Sequence, residues 1–221
     1  MDKENLYKMQ KNIGISVDLL IREEYEMIVL KSLFESVLGT KYIFKGGTAL
    51  RLAYGSKRYS EDLDFNILGN VDIDDLNALF TDLSKKYNEI TIAEFVRKKN
   101  TVLVLLKIKN EILPFAFSIK FEVSTRKNNW KKNIDYELVM LRSDITNLAV
   151  LGQVSTLERI RSDKISIEPK RVRDIYDLWY INQKLGTPTP LNYSGYDKKI
   201  VRREINKLIP LQERKVIEKW L

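Results

Sequence analysis

Residues 41–67, KYIFKGGTALRLAYGSKRYSEDLDFNI, restrict the fold more than any other stretch of the chain. A short apolar run ends in Gly46-Gly47, a segment with helical spacing continues to Tyr54, and Gly55 stops it. An alternating run then starts at Leu63. The spacing predicts a buried strand over 42–45, a short helix over 48–54 and a second strand over 63–68. The glycine pair permits close approach of the backbone, and a helix N-terminus at Thr48 offers free N–H groups to a phosphate. Asp62 and Asp64 stand at i and i+2, so in a strand both carboxylates leave one face while Leu63 and Phe65 point to the core. Two adjacent carboxylates raise each other's pKa unless a cation lies between them, and oxygen donors suit a hard ion such as Mg²⁺.

Each part alone has a plainer explanation. D-x-D is short and common, and on its own reads more readily as a solvated strand. The Gly-Gly turn lacks the spacing of a P-loop or of a dinucleotide-binding turn. Their order, strand then Gly-Gly then helix then acid-bearing strand, is what points to a phosphate site facing a metal site. A second D-x-D at Asp72-Ile73-Asp74 lacks that setting and precedes an amphipathic helix predicted over 72–88. There the aspartates serve to cap free N–H groups.

Farther along, TVLVLLKIK from Thr101 and FAFSIKFEV from Phe115 alternate with a period of two, joined by NEILP. They predict an antiparallel strand pair. On the second, Ser118, Lys120 and Glu122 share the polar face, so Glu122 is a candidate third carboxylate beside Asp62 and Asp64, or simply an exposed acid. A further helix is predicted over 16–38 and a short strand over 147–151. After Gly152 the pattern turns helical, over 155–167, 170–185 and 198–221. The predicted architecture is therefore α+β: a mixed sheet with flanking helices over 1–150, then a helical region over 151–221 that completes a cleft.

In that helical region Lys164 shares a face with Leu157 and Ile160 and either snorkels to an edge or reaches into a cleft. In KRVRDIYDLWYI, Asp174 and Asp177 are neighbours at i,i+3, and Arg173 can pair with Asp177 at i,i+4. Periodicity alone reads this segment as a salt-bridged amphipathic helix.

Composition excludes several chemistries. Neither cysteine nor histidine occurs, so disulfides, thiol catalysis, histidine bases and Cys/His zinc sites are ruled out. The polar start MDKENLYKMQKN lacks the apolar core of a signal peptide, and no run is long enough to span a bilayer, so the expected location is cytoplasmic with no membrane contact. The formal charge of +8 is unevenly spread: basic clusters occur at 97–99, 126–132, 170–173 and 198–203. Such clusters are either solvated faces or the footprint of a polyanion. Trp130, Tyr193 and Tyr196 lie near them, available for base stacking or for core packing.

Taken together, FKGGTALRLAYGSKRYSEDLDF, with its R-x-S-x-D-x-D run from Arg58 to Asp64, and RVRDIYDLW in the same order resemble the AbiEii/AbiGii toxin family of nucleotidyltransferases, within the DNA polymerase β-like superfamily. The resemblance spans about residues 45–179. It implies an NTP-dependent nucleotidyltransferase, the toxin of a toxin–antitoxin pair, acting with Mg²⁺ on an RNA 3′ end such as that of tRNA. A cognate antitoxin protein would be its partner. It further implies that Gly46, Gly47, Thr48, Arg51, Ser60 and Arg173 contact the nucleotide and that Asp62 and Asp64 hold the metal, to which the strand pattern adds Glu122 as the third ligand. Lys164 and either Asp174 or Asp177 would complete catalysis from the helical half. The segment ISIEPKRV between Lys164 and Arg173 is short, contains Pro169 and departs from the family pattern. The alternatives are a non-catalytic nucleotide- or RNA-binding module with this fold, or transfer to a protein or small-molecule hydroxyl.

Overall fold

The computed structural model describes residues 3–70 and 72–220. Its centre is a seven-stranded mixed sheet in the order β3-β4-β5-β2-β1-β7-β6. The unit read from the glycine pair lies in the middle: β1 (Tyr42–Lys45), helix α3 (Gly46–Tyr54) and β2 (Asp62–Ile67). β1 and β2 are antiparallel, with Lys45 opposite Asp64. β2 then runs parallel to β5 (Phe117–Ser124), pairing Asp62 with Lys120 and Asp64 with Glu122. β4 (Thr101–Ile108) and β5 form the antiparallel pair expected from their alternation. β7 (Ala149–Ser155) lies parallel to β1 and antiparallel to β6 (Tyr136–Arg142). Aromatic side chains fill the centre, where Phe65 and Phe121 stack at 4.4 Å.

Three elements carry no strong sequence signal. Helix α1 (Lys3–Ile13) buries only Leu6. β3 (Ile90–Lys98) and β6 are the two outermost strands, each with one edge unpaired. A bulge between Ile92 and Glu94 breaks the alternation of β3, and β6 leaves Leu138 and Met140 exposed. In β3 the bulge shifts the period by one residue, and β6 carries apolar residues on both faces, Leu138 and Met140 outward and Val139 and Leu141 inward, so neither shows the apolar–polar alternation of a half-buried strand.

Two helices are shorter than their periodicity predicts. Helix α2 (Val17–Phe34), which packs on β5, β7 and α4 (Ile73–Lys86), ends early. Its end is set by the Ser36 hydroxyl, which donates to Leu33 O and accepts from Leu38 N, turning the chain into a single 3-10 turn at Gly39–Lys41. The last predicted helix is two, α7 (Lys198–Leu208) and α8 (Leu211–Glu218). Ile209 is extended before Pro210, as steric conflict with the proline ring requires. The final residue of that predicted helix, Leu221, lies outside the described residues. Asp72 caps α4, accepting from Asp74 N at 2.9 Å.

After β7 come α5 (Leu157–Ile165) and α6 (Val172–Lys184). The main hydrophobic core spans the sheet and helices α2 to α4, and a second cluster joins Val172 and Tyr176 of α6 to Tyr193, Val201, Ile205 and Ile217. The gap between the sheet and α5–α6 is the cleft described next.

Candidate active site

Gly46 begins α3 two residues earlier than expected, with a φ of +82° that L side chains rarely adopt. A Cβ there would lie 2.5 Å from Oδ2 of Asp64, so the glycine lets the turn approach the acid. At Gly47 a Cβ would overlap Nη2 of Arg58 and lie 2.8 Å from Ser60 Oγ. The glycine pair is thus required by what packs against it, and both glycines line a cleft of about 290 Å³.

The same cleft receives Ser60, Asp62, Asp64, Lys120 and Glu122 from the sheet side, and Lys164, Arg171, Arg173 and Asp174 from the helical side. Burial pushes the Asp64 carboxyl above its usual value and the charge of Asp62 adds to this, while Lys120 and Lys45 partly offset it. Asp64 therefore carries an electrostatic cost that a cation would remove.

Two hard oxygen donors fit Mg²⁺, which is commonly held by one or two carboxylates together with substrate phosphates and water. The expected third ligand is placed differently. Glu122 pairs with Lys120 at 2.8 Å, and among the described residues no three acidic groups are arranged to hold a metal by themselves. The strand register does put Glu122 beside Asp64, but the lysine two residues away on the same face takes its charge.

Across the cleft the acids are fully compensated. Asp177 is bound by both ends of the Arg58 guanidinium, at 2.7 Å from Nε and 2.7 Å from Nη2, and by Lys164 at 2.6 Å. Asp174 accepts from Arg171 at 2.6 and 3.0 Å, and from Lys164 at 3.2 Å. Burial pushes both carboxyls up, but these partners outweigh it. The Arg171 hydrogen bond and the charges of Lys164 and Arg171 hold Asp174 down at about 2, and Arg58 with Lys164 lowers Asp177. Three cations meet two carboxylates, so the cluster presents one net positive charge beside the cleft.

This arrangement corrects the surface reading of α6. Asp174 and Asp177 are buried, and Asp177 pairs with Arg58 and Lys164, leaving Arg173 free to line the cleft. Lys164 is 7 % exposed and reaches inward. Arg51 is not brought to the site: Glu23 binds its guanidinium, which also lies 3.5 Å from the Tyr59 ring, so burial and pairing draw it away. Thr48 donates its hydroxyl to Asp62 O at 2.5 Å, which leaves only its backbone near the turn. Arg58, Lys120 and Arg171 are cleft residues that the candidate set lacked; the R-x-S-x-D-x-D pattern contained a signal for Arg58, and strand alternation one for Lys120.

Two basic clusters meet beside the cleft. Lys98 pairs with Thr101 and Thr101 with Ser124, and Thr125 N donates to Asn100 O at 3.0 Å. The end of β3 and its turn into β4, carrying Lys98 and Lys99, is thereby placed next to Ser124, a cleft residue, and to Arg126 and Lys127 just beyond it, whereas Arg97 lines a separate cavity with Asp72 and Asp74 at the start of α4. The aromatic candidates divide: Tyr193 is buried in the second cluster, whereas Trp130 lies under the Arg159 guanidinium at 4.6 Å.

The sequence matches the family described as nucleotidyl transferase AbiEii toxin, type IV toxin–antitoxin system, over residues 28–218. Among solved structures, the nucleotidyltransferase toxin MenT4 from Mycobacterium tuberculosis H37Rv superposes with a TM-score of 0.63 at 16 % identity, covering 92 % of this chain and 68 % of that one. JHP933 from Helicobacter pylori gives 0.56 at 21 % identity, covering 76 % and 68 %. At these identities the likeness is one of fold. No curated protein sequence matches. No helix among the described residues is long and apolar enough to cross a membrane.

Proposed function

The chain belongs to the AbiEii family of nucleotidyltransferase toxins of toxin–antitoxin systems, and from that premise we propose that it transfers a nucleotide from an NTP to an RNA 3′ end, with tRNA as the acceptor. The observation that carries this reading is the meeting of Gly46-Gly47, Asp62 and Asp64 with Lys164, Arg171 and Arg173 in one cleft. The sheet, whose strand β7 runs through the expected boundary at 150 as far as Ser155, and the helical region from α5 onward act as its two walls.

The triphosphate lies against the N-terminal N–H groups of α3, where the glycines leave room and the helix dipole favours anions. Ser60 adds a hydroxyl donor. Asp62 and Asp64 hold Mg²⁺, which neutralises charge on the triphosphate. Lys120, Arg171 and Arg173 supply fixed positive charge where the transition state gathers negative charge. The 3′-hydroxyl oxygen attacks the α-phosphorus, the bond to the β-phosphate bridge breaks, pyrophosphate leaves, and Glu122 accepts the hydroxyl proton. Lys164 and Arg58 act through Asp174 and Asp177, fixing α6 against the glycine turn. The basic β3–β4 turn and Arg126-Lys127 hold the RNA backbone, so activity falls as salt rises. These substrates place the reaction in the cytoplasm, where an antitoxin restrains it.

The test is incubation with Mg²⁺, each labelled NTP in turn and total RNA, resolved on a gel that separates RNA from protein. Label on RNA, lost in Asp62→Ala and Asp64→Ala, is the expected result. No transfer with any NTP beside an active control overturns the reading, and label on protein moves the acceptor to a side-chain hydroxyl.

A further inference from the structure

A second, more open cavity of about 360 Å³ lies beside the cleft. One segment lines both. Arg171, Arg173 and Asp174 face the cleft, whereas Lys170, Ile175, Leu178 and Trp179 face the second cavity. Residues 175, 178 and 179 stand at i, i+3 and i+4, so they form a single apolar stripe adjoining the polar face of α6. The Trp179 ring packs 5.5 Å from that of Tyr176, itself buried in the second cluster. Opposite stands Tyr196, whose hydroxyl donates to Lys170 O at 2.5 Å and whose ring meets Tyr193 edge-on. Both aromatic walls are therefore fixed by the protein itself.

We propose that this cavity takes an unpaired base of the acceptor RNA, stacked on Trp179, while Arg171 and Arg173 hold the phosphates that lead from it into the cleft. The proposal rests on RNA being the acceptor. Flat aromatic walls accept the face of any base. The cations between cavity and cleft match a phosphate backbone. An apolar peptide would leave Arg173 unanswered, since of the two only Arg171 has an acid partner among the described residues, Asp174, whereas an RNA strand satisfies both features at once. Asn192, whose amide oxygen accepts from Ser194 N at 2.8 Å, retains an NH₂ group for a base edge.

The experiment uses the full chain with Trp130→Phe and Trp220→Phe, which leaves Trp179 as the sole tryptophan. It is titrated with an RNA hairpin bearing an unpaired 3′ tail, and with versions carrying one abasic site at successive tail positions. Saturable quenching of Trp179 emission is expected, with one abasic position weakening binding about tenfold, the scale of one lost base stack. That penalty disappears in Trp179→Leu. Label transfer is measured in parallel: its absence counts against the nucleotidyl-transfer reading, whereas the abasic penalty reports on the cavity alone. Equal affinity for every abasic tail overturns the proposal, as does full quenching by free NTP, which would assign the cavity to the incoming nucleotide. Should Trp179→Leu not fold, the quenching and the abasic series on the Trp179-only protein decide the matter.

Discussion

Asp62 and Asp64 on β2 and Asp174 and Asp177 on α6 are the acidic pairs of the two walls of the cleft, and their surroundings differ in sign. The sheet pair is under-compensated: burial and Asp62 raise the Asp64 carboxyl. The helix pair is over-compensated: Arg58, Lys164 and Arg171 hold both of its carboxyls down. A site that is to take a cation must leave acids unpaired, at a cost to the empty fold. An ion cluster that is to hold two elements together must leave none. The contrast supports the proposal of ligand binding by the first pair and positioning by the second.

The sharpest way to separate them is Asp64→Asn. A raised carboxyl contributes least once it ionises, so stability falls as pH rises through and above the unfolded value of about 3.9. Removing that charge should raise Tm at neutral pH while lowering nucleotide transfer at least about 10³-fold, a scale set by loss of electrostatic stabilisation of the transition state. Thermal melts with and without Mg²⁺ check the same point. The wild type should gain Tm with Mg²⁺ and the variant should not. A variant that loses both activity and stability would place Asp64 with the structural acids.

The opposite pattern is expected for the helix pair. Arg58→Ala leaves Asp177 buried beside Lys164 alone, and breaking a buried pair from one side costs about 3–5 kcal/mol. Denaturant unfolding measures this directly. Transfer should fall along with stability, because Arg58 also packs against Gly47. The pH dependence has the reverse sign as well. A lowered carboxyl contributes above the unfolded value of about 3.9 and loses that contribution as pH falls toward the folded value. For Asp174, held at about 2, the loss falls between roughly pH 4 and pH 2 and is on the order of 2 kcal/mol. Stability of wild type and Asp174→Asn, compared across that range, should converge at the acid end. A difference that stays constant with pH would remove Asp174 from the ion cluster.

How much of this was readable beforehand follows from the range of each interaction. The glycine pair and the acid strand lie within one strand–helix–strand unit, where side-chain period and turn chemistry determine what faces what. The Arg58–Asp177 pair joins positions 119 residues apart, and no local period marks it. Helical spacing showed that Asp174 and Asp177 were neighbours, but a polar face reads the same against water as against an arginine from another element. Arg51 failed for a related reason: the resemblance implied contact with the nucleotide, while Glu23, on a helix with no visible tie to that turn, captured its side chain. The edge strands β3 and β6 were hidden because a bulge between Ile92 and Glu94 breaks the period of the first, and the second is apolar on both faces, with Leu138 and Met140 turned outward.

The smallest expected effect tests the comparison from outside the cleft. Asp72 repeats the D-x-D spelling with Asp74, yet its carboxylate accepts from the Asp74 backbone N–H at the start of α4. An N-cap of this kind contributes about 1 kcal/mol, less where the side chain is exposed as here. Asp72→Ala should therefore shift the denaturant midpoint slightly and leave the rate of nucleotide transfer unchanged, and Asp72→Ser should recover most of the shift because a hydroxyl caps nearly as well. A rate loss in Asp72→Ala comparable to that of Asp64→Asn would mean that the spelling alone marks the site. An unchanged rate would show that an acid pair acquires its role from the glycine turn and cations around it.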